Sequence, residues 1–264
     1  MLTPNWFNIT SLPVVFILSI IIFIGAIEIG TWLGRWSTNE KKTAHQGSVG
    51  TLVGSLLGLL AFFLAFTFSM TASRFDQRKH LVLDEANAIR TVYHNAALAP
   101  VREGKEIQRL LREYTNLRLD LTRENVLERL EQSRVIHEHL RVQLKQLMTT
   151  NMDTDFRSSF IDDMKELFNL HQSRLTTGLQ YQIPATIWLL LYFLSILSMT
   201  AIGYQAGFSG AGRLRAAPIV ALAFSLVIVV IADIDRPGEG RFRVGTQPLK
   251  DTQQMMLRDV PQSN

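Results

Sequence analysis

Four long apolar segments constrain the fold of this chain more than any other feature of its sequence. They cover about residues 13–34, 49–71, 183–204 and 216–234, and each is nearly free of charged side chains. A helix rises about 1.5 Å per residue, so roughly 20 apolar residues cross a hydrocarbon core of about 30 Å. We therefore expect four transmembrane helices in a lipid bilayer, rather than the buried helices of a large soluble core.

Most of the charge lies between the second and third segments, where apolar residues recur at three- and four-residue spacing as in amphipathic helices. We predict an all-α integral membrane protein with four transmembrane helices and a helical-bundle domain inserted between spans 2 and 3. The predicted organisation is a hairpin of spans in residues 1–72, a polar helical domain in 73–182, a second hairpin of spans in 183–235 and a polar tail in 236–264. We expect the tail to lie along the domain or to be partly disordered.

Spans 2 and 3 are both expected to extend into this domain. No proline or paired glycine interrupts the chain between Gly58 and Pro100, so the second span should continue as one helix until Pro100 breaks it. The apolar pattern around Leu175 leads in the same way into the third span, where Pro184 falls in the first turn. Within the domain, Asn125 is typical of a helix start.

Composition and motifs exclude several classes of function. The 264-residue chain has no cysteine, so it has no disulfide, no thiolate metal site and no cysteine nucleophile. Its net charge of +4 comes from basic residues interleaved with acidic ones, which does not indicate nucleic-acid binding. His137 and His139 point to different sides of a helix and do not predict a metal site. No phosphate-binding loop, dinucleotide-binding motif or hydrolase motif occurs, so we expect neither an enzyme nor a bound cofactor.

The short loop after the first span predicts the orientation in the membrane. Arg35, Lys41 and Lys42 follow that span, whereas no Lys or Arg precedes it. By the positive-inside rule this loop is cytoplasmic, which places the helical domain outside the cytoplasm. Basic residues at 74–79 and 236–243 count against this orientation.

Four ionisable residues lie within or at the ends of the spans. Glu28 lies about two turns before Arg35, so its carboxylate either reaches toward that interface or faces the bundle interior as a protonatable or ion-coordinating group. Asp233, Asp235 and Arg236 end the fourth span. They are typical of interfacial ion pairs, and the alternative is a ring of carboxylates that attracts cations.

The second span carries small residues on one side. Gly50, Gly54 and Gly58 recur at every fourth position. This spacing lets two helix backbones approach closely within a membrane. We expect this face to pack against another helix, of the same subunit or of a neighbour.

The same span also carries a dense cluster of phenylalanines, which includes Phe62, Phe63 and Phe66. In most spans such rings face lipid or the protein core. The alternative is a ring of phenylalanines around a symmetry axis, which would form a hydrophobic constriction that gates by dewetting.

Two stretches of the sequence are distinctive. They are AFTFSMTASRFDQRKHLVLDEANAIRTVY, residues 65–93, and DIDRPGEGRFRVGTQPL, residues 233–249. Together with Glu28 in AIEIGTWLGR, they resemble a bacterial family of four-span proteins described as bestrophin-like. The resemblance implies a multi-pass protein of the bacterial inner membrane.

The resemblance extends more distantly to bestrophins, which are pentameric anion channels whose second span lines the pore and whose hydrophobic residues form a neck. It implies that Phe62, Phe63 and Phe66 are neck candidates and that the chain forms a homo-oligomer, a pentamer by analogy. The acidic calcium-binding run that follows the fourth span of bestrophins is missing from this chain, so calcium gating is not implied.

The leading hypothesis is therefore an oligomeric channel for small ions whose second span lines the pore. The alternative is a non-conducting membrane scaffold or sensor whose helical domain binds a partner. A third hypothesis is a carrier that uses Glu28 as a proton-coupled site.

Overall fold

A computed structural model of the chain describes residues 11–37, 46–122, 125–150, 152–179, 182–209, 217–236, 242 and 244–259. These residues form two compact units. The membrane unit contains residues 11–74 and 182–236, and the domain unit contains residues 75–179 and 244–259. Lys41 and Lys42, on which the predicted orientation depends, lie outside the described residues.

The described residues are helical almost throughout. The helices are α1 (Leu12–Trp36), α2 (Gln46–Ala96), α3 (Val101–Leu119), α4 (Val126–Thr149), α5 (Thr154–Leu179), α6 (Ala185–Phe208), α7 (Ala217–Asp235) and α8 (Gln247–Arg258). No strand occurs in this part of the chain, which confirms the all-α class.

Four of these helices, α1, α2, α6 and α7, are long and apolar enough to cross a membrane. Their bounds lie close to the four predicted spans. Pro13 lies in the first turn of α1, and Pro184 is the residue before α6. Proline is tolerated at both places because a helix start leaves its N–H groups without intrahelical partners.

The predicted continuation of the second span is confirmed, because α2 runs unbroken from Gln46 to Ala96. The third span differs. α5 ends at Leu179 and α6 begins at Ala185, with residues 182–184 non-helical. Pro184 explains the break, since a proline disfavours the helical conformation of the residue before it. The extension of the third span is therefore a separate helix.

Close glycine contacts join α1 to α6 in the membrane unit. A Cβ atom added at Gly30 would lie 2.0 Å from the backbone oxygen of Thr200, and one added at Gly203 would lie 2.0 Å from the backbone oxygen of Ile27. Such distances are shorter than any van der Waals contact, so only glycine allows the two backbones to approach this closely.

The domain unit has its own hydrophobic core, to which five helices contribute. Its fully buried side chains include Tyr93 of α2, Ile107 and Leu111 of α3, Leu140 of α4 and Met164 of α5. α8, which lies in the polar tail, packs against the domain and adds Leu249 and Met256 to this core, in agreement with the first of the two arrangements expected for the tail. The helix forms although the tail is polar overall, since its few apolar residues share one face.

Replacing Gly203 with alanine should destabilise the membrane unit by about 1–3 kcal/mol, because the added methyl group overlaps the backbone of α1. Gly25→Ala is the matched control on α1, since nothing lies within 4 Å of its added Cβ. Thermal unfolding of the purified protein in detergent measures both. Equal midpoints for the two variants would contradict the close packing of α1 and α6.

Candidate functional site

In its apolar first half, α2 buries one side and exposes the other. Val53, Leu60, Leu64 and Thr67 are buried. With 3.6 residues per turn, these positions fall on one side of the helix. The opposite side carries Thr51, Ser55, Gly58, Phe62, Phe66 and Ser69, all of which are exposed.

Phe62 and Phe66 are the largest groups on this exposed face, with 64% and 56% of their surface accessible. Their rings stack at 6.5 Å between centroids with 18° between their planes. Phe63 differs from them, because it is half-buried and packs against the hydrophobic core of the membrane unit. The structure thus separates the three phenylalanines into two that are exposed together and one that is packed.

The glycine stripe of α2 runs beside this exposed face and joins it at Gly58. Nothing lies within 4 Å of a Cβ added at Gly54 or Gly58, and at Gly50 the nearest atom is the amide nitrogen of the Gln205 side chain at 3.4 Å. The stripe therefore makes no close backbone contact within the described part of the chain. Its predicted contact with a helix of a neighbouring subunit stays a prediction.

A second feature is a group of polar side chains buried inside the domain unit. Glu85 of α2 is fully buried and accepts hydrogen bonds from Arg118 of α3, at 3.4 Å, and from Arg174 of α5. Both guanidinium groups bind the same carboxylate oxygen, Oε2. One carboxylate therefore links three helices, and we refer to these residues with Tyr114, His171 and His137 as the Glu85 cluster.

Tyr114 binds the other carboxylate oxygen and extends the cluster. Its hydroxyl donates to Oε1 of Glu85 and lies 2.8 Å from Nδ1 of His171. Because the hydroxyl has only one proton, which it gives to Glu85, Nδ1 of His171 must carry the proton that joins the two rings. This assigns the tautomer of His171.

His137 is the outer member of the cluster. Its ring lies 4.1 Å from that of His171 and 4.8 Å from that of Tyr114, measured between centroids. Phe168 packs against it at 5.3 Å. Its Nε2 atom is buried without a hydrogen-bond partner among the described residues, so this imidazole is held by ring packing.

Burial and the neighbouring charges decide the protonation states of the cluster. Burial opposes ionisation of Glu85, but the positive charges of Arg174 and Arg118 prevail and lower its pKa to about 2. Burial, together with the neighbouring imidazole or guanidinium groups, lowers the pKa of His137 to about 3 and that of His171 to about 4. At pH 7 the carboxylate is therefore charged and both imidazoles are neutral.

The ionisable residues of the spans take different positions. Asp233, Asp235 and Arg236 are all buried in the membrane unit. Both carboxylate oxygens of Asp235 lie 3.1 Å from the backbone N–H of Ile183, just before α6, so this residue helps to fix the start of the third span. Burial favours a structural role for the three residues over an exposed ring of carboxylates. Glu28 lies on the exposed side of α1, which does not favour the interior site that a carrier requires.

Comparison with known proteins gives the family. The model of the bestrophin-like domain matches residues 21–249. The chain belongs to the bestrophin-like family. This confirms the resemblance inferred from residues 65–93 and 233–249. No curated protein matches the chain.

Solved structures share the fold of this bestrophin-like protein at low sequence identity. One variant of a bacterial bestrophin homolog from Klebsiella pneumoniae matches with a TM-score of 0.64 and 18% identity, over 92% of this chain and 97% of that one. A second variant matches with a TM-score of 0.63 and 18% identity, over 96% and 100% of the two chains. A crystal structure described as a membrane protein matches with a TM-score of 0.65 and 17% identity, over 95% and 99%.

Sequence reasoning missed the Glu85 cluster, although its members interrupt apolar patterns. Glu85 lies three residues after the buried Val82 and four before the buried Ile89, where a core residue is expected. His171 follows the buried Leu167 by four residues. A charged residue at a core position is a feature that the sequence alone can reveal.

The Glu85 cluster does not constitute a metal site, because among the described residues no group of three His, Asp or Glu side chains is placed to hold a metal ion.

Replacing Glu85 with glutamine should lower the free energy of unfolding of the domain by about 3–5 kcal/mol, because two buried guanidinium groups then lose their counter-charge. Glu131→Gln is the matched control. It breaks an exposed pair with Arg134 and should cost at most about 1 kcal/mol. Urea unfolding followed by circular dichroism measures both, and similar losses would show that the cluster does not stabilise the domain.

Stability should also fall as the pH is lowered from 7 toward 4. An unfolded histidine has a pKa near 6.5, whereas those of His137 and His171 are about 3 and 4 in the folded protein. Between these pH values the unfolded state binds more protons than the folded state. Each histidine therefore lowers the free energy of unfolding by up to about 1.4 kcal/mol for every pH unit below 6.5. His171→Asn should reduce the slope of unfolding free energy against pH, and the exposed His139→Asn should leave it unchanged. An unaltered slope in His171→Asn would contradict the assignment.

Proposed function

We propose that this bestrophin-like protein is an oligomeric ion channel whose pore is lined by the exposed face of α2. The observation that carries the proposal is that face, with its exposed stacked rings of Phe62 and Phe66. Membership of the bestrophin-like family supports it. An assembly of several copies around one axis would place equivalent faces of α2 opposite each other.

Burial distinguishes α2 from the other apolar helices. In its most apolar 18-residue segment, only 17% of α2 is buried within the chain. The corresponding share is 28% for α1, 33% for α6 and 44% for α7. Because so little of α2 is buried within its own subunit, the helix is available to contact neighbouring subunits and to line a pore along their common axis. The exposed face also carries the hydroxyl groups of Thr51, Ser55 and Ser69. That of Ser55 donates to the backbone oxygen of Thr51 at 2.9 Å and keeps its lone pairs for water.

Phe62 and Phe66 are the proposed neck. In a closed ring their side chains would form a narrow hydrophobic constriction, which passes ions only when it is wetted. Serine and threonine lie on the same face before and after them, so the constriction would have polar ends. Phe63 is not included, because it is packed within its own subunit.

The glycine stripe supplies the proposed contact between subunits. On an ideal helix, Gly54 lies roughly a quarter turn from Phe62 and Phe66, whereas Gly58 lies nearer to them and Gly50 lies further away. When the phenylalanines face the axis, Gly54 faces the adjacent subunit, where its lack of a side chain permits close helix packing. We propose a homopentamer by analogy with bestrophins.

The proposed location is the bacterial inner membrane, in keeping with the family and the four apolar helices. The proposed orientation places the domain unit outside the cytoplasm, as the basic loop after α1 indicates.

Replacing both Phe62 and Phe66 with alanine should raise the unitary conductance severalfold, because the constriction becomes wider and more easily wetted. The measurement is single-channel recording of the purified protein in planar bilayers, with KCl on both sides. Phe68→Ala is the matched control, since this exposed phenylalanine lies on another side of α2 and should leave the conductance unchanged.

Two outcomes would contradict the proposal. Unitary currents that are identical in wild type and in the double variant would exclude the neck assignment. Silence of the oligomeric wild-type protein across pH and voltage would favour the non-conducting scaffold or sensor instead.

A further inference from the structure

We propose that a groove in the domain unit binds a small soluble anion that carries several phosphate groups. The groove has a volume of about 840 Å³ and lies between α3, α4 and the ends of α2 and α8. Its size is that of sites which hold nucleotide-sized ligands. The proposal concerns binding alone and does not depend on ion conduction.

The lining of the groove is rich in hydrogen-bond donors. It consists of Tyr93, Arg102, Lys105, Glu106, Gln108, Arg109, Arg112, Gln143, Gln146 and Asp259. Four cationic side chains face two carboxylates, which leaves a net positive charge in the groove. Three glutamine amides add neutral donors to the same lining.

The cations of the groove differ in whether they already form ion pairs within the chain. Arg109 is neutralised, because it binds Glu106 at 2.7 Å and Glu113 at 3.1 Å. Arg102 and Lys105 form no ion pair with any part of the chain that the structure describes. Both are exposed and lie one turn apart on the same face of α3.

Arg112 is the pre-positioned member of the group. Its guanidinium donates to the Tyr93 hydroxyl at 3.2 Å and lies 5.8 Å from the centre of the Tyr93 ring. It is half-buried, and no carboxylate in the described residues pairs with it. A guanidinium held this way loses little conformational entropy when its remaining N–H groups bind an anion.

This arrangement differs from that of several exposed cations on α4 and α5. Arg134, Arg141 and Lys165 each pair with a carboxylate three residues earlier. In the groove, Arg102, Lys105 and Arg112 converge without such partners. A phosphate group brings up to two negative charges and several acceptor oxygens, so an oligophosphate matches three free cations better than a single carboxylate does.

The test is isothermal titration calorimetry of the full-length protein in detergent with sodium tripolyphosphate. Wild type should bind it at low salt, and more weakly as salt rises, since a site of this kind is screened. The double variant Arg102→Gln, Lys105→Gln should bind about tenfold or more weakly, as expected when at least one charge-assisted hydrogen bond is lost. Circular dichroism and gel filtration check that the variant is folded.

The double variant Arg134→Gln, Lys165→Gln is the matched control. It removes two positive charges from exposed ion pairs on the same domain and should change the affinity less than about twofold. Failure of wild type to bind tripolyphosphate at low salt would overturn the proposal. Equal weakening in both double variants would overturn it too, because binding would then not depend on the cations of the groove. Equally tight binding of citrate would also overturn it, because the groove would then not prefer phosphate groups to carboxylates.

Discussion

The burial of Glu85 with Arg118 and Arg174 constrains how three helices of the domain pack. A charge taken out of water is stable only while its partners stay in reach, so α2, α3 and α5 must pack in the register that brings these groups together. On an ideal helix, Glu85 falls on the same side of α2 as the buried Val82 and Ile89. This side of α2 is therefore the one that the domain buries.

The sequence predicts the spans well because an apolar segment has to be long enough to cross a bilayer, and that requirement depends on no other part of the chain. The break before α6 is harder to predict, because Pro184 is acceptable both inside a first turn and just before it. The helix against which each glycine packs could not be predicted from the sequence. The glycines that bring α1 and α6 together are Gly30, Gly34, Gly203 and Gly207, whereas nothing in the described part of the chain lies within 4 Å of a Cβ added at Gly54 or Gly58. Periodicity identifies a face of a helix but not its partner.

The same reasoning explains why the Glu85 cluster could not be predicted as a unit. Its members come from four helices, and their hydrogen bonds depend on how those helices pack. The candidate pore face was easier to recognise, because Phe62 and Phe66 are on one helix and share a side through spacing alone. The structure adds that Phe63 is packed and that small polar residues continue the face of the other two. A hydrophobic neck between polar ends is one arrangement by which an ion pathway can be gated, through dewetting.

The central claim, that this face of α2 lines an ion pathway, is tested most directly by cysteine accessibility. The chain has no cysteine of its own, so Ser55→Cys and Ser69→Cys would each introduce a single thiol on the exposed face. A charged, water-soluble thiol reagent should reduce the current through both variants, and Phe68→Cys, on another side of α2, should be unaffected. Currents that do not change at either serine position, or that change equally at Phe68, would contradict the claim.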